Sequence, residues 1–156
     1  MAQVVIRHAV EEDVIQLRQL MITYIVVFYR YRQPEEEKLD EMIRILLEHK
    51  EGVQFVAELE GKLVGFATLF FRYSSFHAAK IAVMNDLFVA EDQRRQGIAH
   101  KLFAACKGYS ARHRYVSMIW STGKDNISSQ RFYEKLSGEQ SEWLTYSINP
   151  TIGIGD

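Results

Sequence analysis

Apolar positions along the chain change period several times, and each change marks an element. VVIRHAV near the start reads as a short strand. Glu11, Glu12 and Asp13 then suit a helix N-terminus, where carboxylates oppose the positive end of the helix dipole. Val14, Leu17, Met21, Tyr24, Ile25 and Phe28 recur at helical spacing and predict a first helix. Pro34 breaks that pattern and sits near the first turn of a second helix in PEEEKLDEMIRILLEHK, with a stripe of Leu39, Met42, Ile43, Leu46 and Leu47. The period then shortens. VQFVAEL and LVGFATLFF are strands joined by a hairpin turn at Glu60-Gly61-Lys62. After the looser RYSSFHAAK comes a third strand, KIAVMNDLFV. Strict alternation there puts Ile81, Val83, Leu87 and Val89 on one side and Met84, Asp86 and Phe88 on the other.

Ile98, Leu102, Ala105, Cys106 and Tyr109 form the stripe of a further helix. YVSMIWST reads as a strand, DNISSQRFYEKL as a helix capped by Asn126 or Asp125, and EWLTYSI as a final strand. The tail NPTIGIGD carries a proline and two glycines and is expected to fray. The order β-α-α-β-β-β-α-β-α-β predicts an α+β fold with a mixed sheet. Residues 1–149 are expected to make a single domain and 150–156 a flexible tail.

Composition narrows the function. A length of 156 residues with 47% apolar and 25% charged residues suits one folded core. A formal net charge of -1 argues against broad electrostatic binding to nucleic acid or to an anionic membrane. The longest apolar run, LMITYIVVFY, is about half of what spans a bilayer, and MAQVVIRHAVEED lacks the features of a signal peptide. The cytoplasm is the expected location. A single cysteine, Cys106, fits a reducing compartment and reads as a core position; a catalytic thiol would need a partner that the sequence does not suggest. The five histidines show no metal-ligand spacing, and no metal is expected.

The chemistry concentrates in EDQRRQGIAHKLF, residues 91–103. A strand ends near Val89 or Ala90 and a helix begins around Gly97. The first N–H groups of such a helix have no intrahelical acceptor and point back into the turn, at the positive end of the dipole. Gly97 leaves room for close approach, Ala99 is nearly as small, and Arg94 and Arg95 add charge. Shape and charge suit a pyrophosphate. The Lys-Ser/Thr pair of a P-loop is missing, and one glycine is too few for a dinucleotide fingerprint. A solvated basic turn is the plainer alternative.

NDLFVAEDQRRQGIA resembles the acyl-CoA-binding segment of the GNAT superfamily of N-acetyltransferases, with Arg94-x-x-Gly97-x-Ala99 matching that family's Arg/Gln-x-x-Gly-x-Gly/Ala. DNISSQRFYEKLSG resembles the family's Asn-x-x-Ala-x-x-Phe-Tyr-x-x-x-Gly helix through Asn126, Phe132 and Tyr133, with Ser129 in place of alanine and Gly138 displaced by about one position. The two motifs span residues 85–138; the first 50 residues match only in pattern. The resemblance implies a mostly antiparallel, twisted sheet flanked by helices, and acetyl-CoA as cosubstrate.

The resemblance further implies that Arg94, Arg95, Gln96, Gly97, Ile98, Ala99 and His100 cradle the pyrophosphate, largely through backbone N–H groups. It implies too that the backbone of Leu87, Phe88 and Val89 pairs with the pantetheine arm. Tyr133, a phenol protonated at neutral pH, is the candidate acid for the departing thiolate, or else a core aromatic. Asn126 contacts the cofactor arm, caps its helix, or does both. Asp86 is the candidate base or substrate contact, or else a structural hydrogen-bonding residue. The run Glu35-Glu36-Glu37 attracts a cationic amine or is a solvated helix start. Tyr24, Phe28, Tyr29 and Tyr31 could wall a cleft, although helical spacing assigns Tyr24 and Phe28 to packing. SEWLTYSI is similar to the end of family members acting on histones and polyamines, which points to a small amine or polyamine-like acceptor and a homodimer. A non-catalytic acyl-CoA-binding module, a protein lysine or N-terminal acetyltransferase, and a purely structural dimerisation domain are the competing readings.

Overall fold

The structure, a computed structural model, describes residues 2–153 and residue 155. It forms two compact units that divide after Ser121. Of the tail expected at 150–156, Ile154 and Asp156 lie outside the described residues, as does Met1.

The first unit holds a five-stranded sheet in the order β1-β2-β3-β4-β5. The strands are β1 (Val5–His8), β2 (Gly52–Leu59), β3 (Lys62–Ser74), β4 (Ala79–Val89) and β5 (Met118–Ile119). Neighbours through β4 are antiparallel, and β4 with β5 is parallel. Strand β2 turns into β3 through Glu60 and Gly61, at φ 50° and 79°, the left-handed pair that a two-residue hairpin requires. Helices α1 (Val14–Ile22) and α2 (Glu36–Leu47) pack on one face, and α3 (Ile98–Arg112) covers the other. The core on the α1–α2 face joins Leu17, Met21, Leu39 and Ile43 to Val56, Phe66 and Phe88. Cys106 is fully buried under α3, and burial pushes its thiol pKa up to about 12, so it is a packing residue.

Three features depart from simple periodicity. First, α1 does not run regularly to Phe28. It widens at Thr23–Phe28 into a π-helical segment, where the Tyr29 N–H donates to the Tyr24 carbonyl five residues back. Second, strict alternation fails in β4. Its register with β3 slips between Thr68 and Leu69, where Asn85 is extra, so Asp86 opposes Thr68 while Met84 opposes Leu69. Met84, expected beside Asp86 and Phe88, therefore lies on the α3 face with Ala82, whose partner Phe71 stacks on Tyr109 of α3. Asp86 and Phe88 lie on the α1 face. By the same slip Ile81 and Val83 do not share a face with Leu87 and Val89. Third, the strand expected in YVSMIWST shrinks to Met118–Ile119, because β4 and β5 pair only at Ala82↔Met118 and Val83↔Ile119.

The second unit, from Thr122 onward, contains α4 (Ile127–Lys135). Asn126 caps it, its side chain accepting the Ser129 N–H at 3.1 Å. The strand expected in EWLTYSI does not form: among the described residues no sheet partner pairs with it, and Leu144, Tyr146 and Ile148 are exposed. No helix among the described residues is long and apolar enough to cross a membrane.

Candidate active site

Beyond Val83, among the described residues, strand β4 has no partner on the β5 side. The Ala90 N–H donates to the Val64 carbonyl at 2.8 Å, which fixes the phase of the ladder. Alternation then directs the backbone groups of Phe88 into β3 and those of Leu87 and Val89 to the open edge. Of the three residues expected to pair with a pantetheine arm, Leu87 and Val89 turn their backbone groups to this edge, where the Val89 carbonyl already accepts from Arg94, and Phe88 turns its own into β3.

The edge runs into the turn before α3. Arg95 and Gly97 both hold left-handed backbone, at φ 64° and 79°. A β-carbon built on Gly97 would meet nothing within 4 Å, so its glycine serves conformation and clearance rather than packing. The first helical bond of α3 is from the Lys101 N–H to the Gly97 carbonyl, at 3.1 Å, which leaves the Ile98, Ala99 and His100 amides ahead of the helical ladder. Ile98 is buried and anchors the helix start, whereas Arg95, Gln96 and His100 are exposed. Arg94 is exposed as a residue, yet its Nε donates to the Val89 carbonyl at 3.0 Å, and its guanidinium lies 5.3 Å from the Phe28 ring and 5.7 Å from that of Phe88. It braces the loop against β4 and the π segment. A cavity of about 280 Å³ opens beside this helix start, lined in part by Gln96, Ile98 and Lys101.

On the α1 face a second cavity of about 350 Å³ is lined by Tyr24, Ile25, Tyr29, Tyr31, Asn85 and Asp86. The β4 slip supplies its acidic floor. Asp86 is buried and its carboxylate accepts from Asn85 Nδ2 at 3.1 Å, from the Thr68 hydroxyl and from the Tyr24 hydroxyl. Gln54 Nε2 donates in turn to Thr68 Oγ1 at 3.0 Å, so a polar chain crosses three strands beneath the cavity. Burial raises the Asp86 pKa above the ordinary carboxylate value, and the donors only partly oppose it. The π segment supplies the aromatic wall. Tyr24 meets Tyr29 edge-on at 4.9 Å and Phe66 at 5.5 Å. Burial and the Asp86 charge both push its phenol pKa up, which keeps the proton on Tyr24.

Sequence reasoning singled out Asp86 but missed its supports, Thr68, Gln54 and the Tyr24 hydroxyl. A signal was present: Gln54, Thr68 and Asp86 are polar residues in three successive apolar strands. Tyr133 and Asn126 stand on and before α4 in the second unit, where the Phe132 and Tyr133 rings lie 5.4 Å apart. Among the described residues no three His, Cys, Asp or Glu side chains gather to hold a metal.

A sequence profile of the acetyltransferase (GNAT) family matches residues 17–138. An uncharacterised N-acetyltransferase of Bacillus subtilis is 28% identical over 121 residues, covering 76% of this chain and 81% of that protein. An aminoglycoside N(6')-acetyltransferase of Serratia marcescens is 26% identical over 124 residues, covering 77% and 83%. A solved aminoglycoside N-acetyltransferase in complex with CoA superposes with a TM-score of 0.81 over 96% of both chains; at 18% identity that likeness shows the fold alone. With its family profile matched across both signature segments, the chain belongs to the acetyltransferase (GNAT) family and is an acetyltransferase.

Proposed function

We propose that this acetyltransferase moves the acetyl group of acetyl-CoA to a primary amine of a small molecule, polyamine-like or other, by direct attack in a ternary complex. One observation carries the reading. The open edge of β4 leads through the turn at residues 90–97 to the start of α3, so strand-like donors and acceptors are followed in the chain by a set of leading helix amides. That sequence of groups fits an amide-bearing arm followed by a diphosphate, which are the two recognisable parts of the coenzyme. Leu87, and Val89 through its N–H, would hold the arm. Gln96 through His100 would hold the diphosphate by their backbone, with Arg95 and His100 supplying mobile polar side chains. The bound coenzyme supplies an activated thioester carbonyl. Relatives named as aminoglycoside acetyltransferases support a small-molecule acceptor.

In this reading Asp86 receives the amine's proton as the nitrogen lone pair attacks the carbonyl carbon and the C–N bond forms. Tyr133 then gives its phenolic proton to the sulfur as the C–S bond breaks. Asn126 keeps its cap and could also touch the arm. A homodimer is the proposed assembly, supported by the exposure of Leu144, Tyr146 and Ile148 on a segment that has no strand partner among the described residues, and light scattering on the purified chain measures it directly.

The test is calorimetric titration of CoA into wild type and Gly97→Glu. Binding by wild type and loss of it in the variant is expected, since a carboxylate would stand where the diphosphate belongs; equal affinity removes the loop from the site. Thiol release from acetyl-CoA with pooled amines, followed by product mass, then reports turnover.

A further inference from the structure

The acceptor class is legible in the cavity on the α1 face, if Asp86, which lines it, receives the acceptor's proton as proposed above. We infer that it takes a monoamine whose single ammonium sits on an apolar or aromatic stem, rather than a polyamine or an aminosugar. Six residues line it: Tyr24, Ile25, Tyr29, Tyr31, Asn85 and Asp86. They include one carboxylate and no cationic side chain. A single buried carboxylate compensates one ammonium; a second positive charge in the same space would meet phenol rings and Ile25, with no anion to offset its lost hydration. An aminosugar brings many hydroxyls, each needing a partner when desolvated, and beyond Asp86 the wall offers them only Asn85 and three phenols.

The same wall suits a carbon stem. Tyr29 is partly exposed at 42% and Tyr31 strongly so at 71%, which leaves ring surface at the mouth for the stem to cover. Tyr24 sits deeper, its hydroxyl spent on Asp86, and its ring is positioned by Tyr29, Phe66 and Phe88 at 4.9 to 5.5 Å. An ammonium at Asp86 also lies among aromatic faces, which attract cations. The π segment is the device behind this arrangement: its five-residue turn carries Tyr24 and Tyr29 towards the same side, where in a regular helix residues five apart point about 140° from each other.

The experiment separates acceptor class from turnover. Wild type in saturating CoA, which carries no acetyl group, is titrated calorimetrically with phenethylamine, spermidine and kanamycin. Phenethylamine is expected to bind at least about ten-fold more tightly than either polycation. Tyr31→Ala is expected to weaken it about ten-fold while CoA affinity stays unchanged, and Asp86→Asn to weaken it further. Tighter binding of spermidine or kanamycin, no binding of phenethylamine, or indifference to Tyr31→Ala overturns the inference. Thiol release from acetyl-CoA is read in parallel. Phenethylamine binding without turnover leaves the acceptor class standing and removes the catalytic reading. Turnover with spermidine but not with phenethylamine does the reverse.

Discussion

Asp86, proposed above as the base, owes its character to its surroundings. Burial raises its pKa, and three donors hold its carboxylate in place without restoring the ordinary value. A carboxylate of this kind is a stronger base than one on the surface, yet it remains oriented. If it accepts the amine's proton, kcat/KM falls at low pH as Asp86 becomes protonated, and this acidic limb lies above the ordinary carboxylate pKa of about 3.9. Removing a donor weakens the ionised form. Tyr24→Phe and Thr68→Val should therefore both move the limb to higher pH, and a pH–rate profile of each variant measures it. Asp86→Asn should lower kcat by about a hundred-fold or more, within the range for loss of a positioned base. An Asp86 that only packs would leave the limb unmoved in all three. Tyr133→Phe is the companion experiment on the acid: kcat should drop about a hundred-fold while the CoA dissociation constant changes little.

Element by element, regular pattern was legible and its interruptions were not. The stripes of α1 and α2, the Glu60-Gly61 hairpin, the cap at Asn126 and the helix start at Gly97 could all be read, because each rests on a local rule of spacing or dihedral preference. The slip at Asn85 and the π turn at Thr23–Phe28 could not. An extra residue leaves no mark in composition, and it shows only once two strands or two turns are set against each other. The cavity depends on both interruptions, so Asp86 could be named in advance while its neighbours could not. EWLTYSI failed differently. It has strand residues, but a strand exists only with a partner.

The helix start also offers a matched test at this scale. Gly97 and Gly61 share φ 79°, and neither has an atom within 4 Å of a would-be β-carbon. Alanine at either position should cost about 1 kcal/mol through the left-handed backbone alone, read by urea unfolding. Gly97→Ala should in addition weaken CoA, because its methyl group enters the space before the α3 amides, and Gly61→Ala should not. Equal CoA affinity in the two variants would assign Gly97 to the turn only.

At the scale of the molecule, Asp13 and His8 of the first unit each lose stabilising influence in acid, at different pH, while Asp86 with its raised pKa contributes in the opposite direction. The chain entering α1 is pinned by Arg7, whose guanidinium holds Asp13 at 2.7 and 2.9 Å and Glu58 at 2.9 Å; Asp13 also accepts the Val10 N–H at 2.8 Å. The Arg7 hydrogen bonds hold Asp13 below its ordinary pKa of 3.8. A depressed carboxylate stabilises the fold fully above the unfolded value, and that contribution disappears as pH falls from about 4 through the folded value. On the α3 face the His8 ring lies tilted against those of Phe55 and His49 at 4.6 and 4.8 Å, and its Nδ1 is sealed from solvent with no hydrogen-bond partner among the described residues. Burial, aided by His49, Arg112 and His113, lowers its pKa below 6.5. A base depressed in this way favours the folded state above the unfolded pKa, and the advantage shrinks as pH drops below about 6.5. In an Asp86→Asn background, which removes the opposing gain that the raised Asp86 pKa gives as pH falls towards 3.8, thermal unfolding should show a gentle loss of stability from pH 7 to 5 and a steeper one below 4. His8→Phe should flatten the first slope, since phenylalanine keeps the ring contacts and cannot be protonated. Asp13→Asn should lower stability by about 2 kcal/mol at pH 7 and flatten the second, because the charge that proton binding would cancel is already gone. A single slope untouched by both substitutions would mean that other groups, on other elements, set the acid limit of this fold.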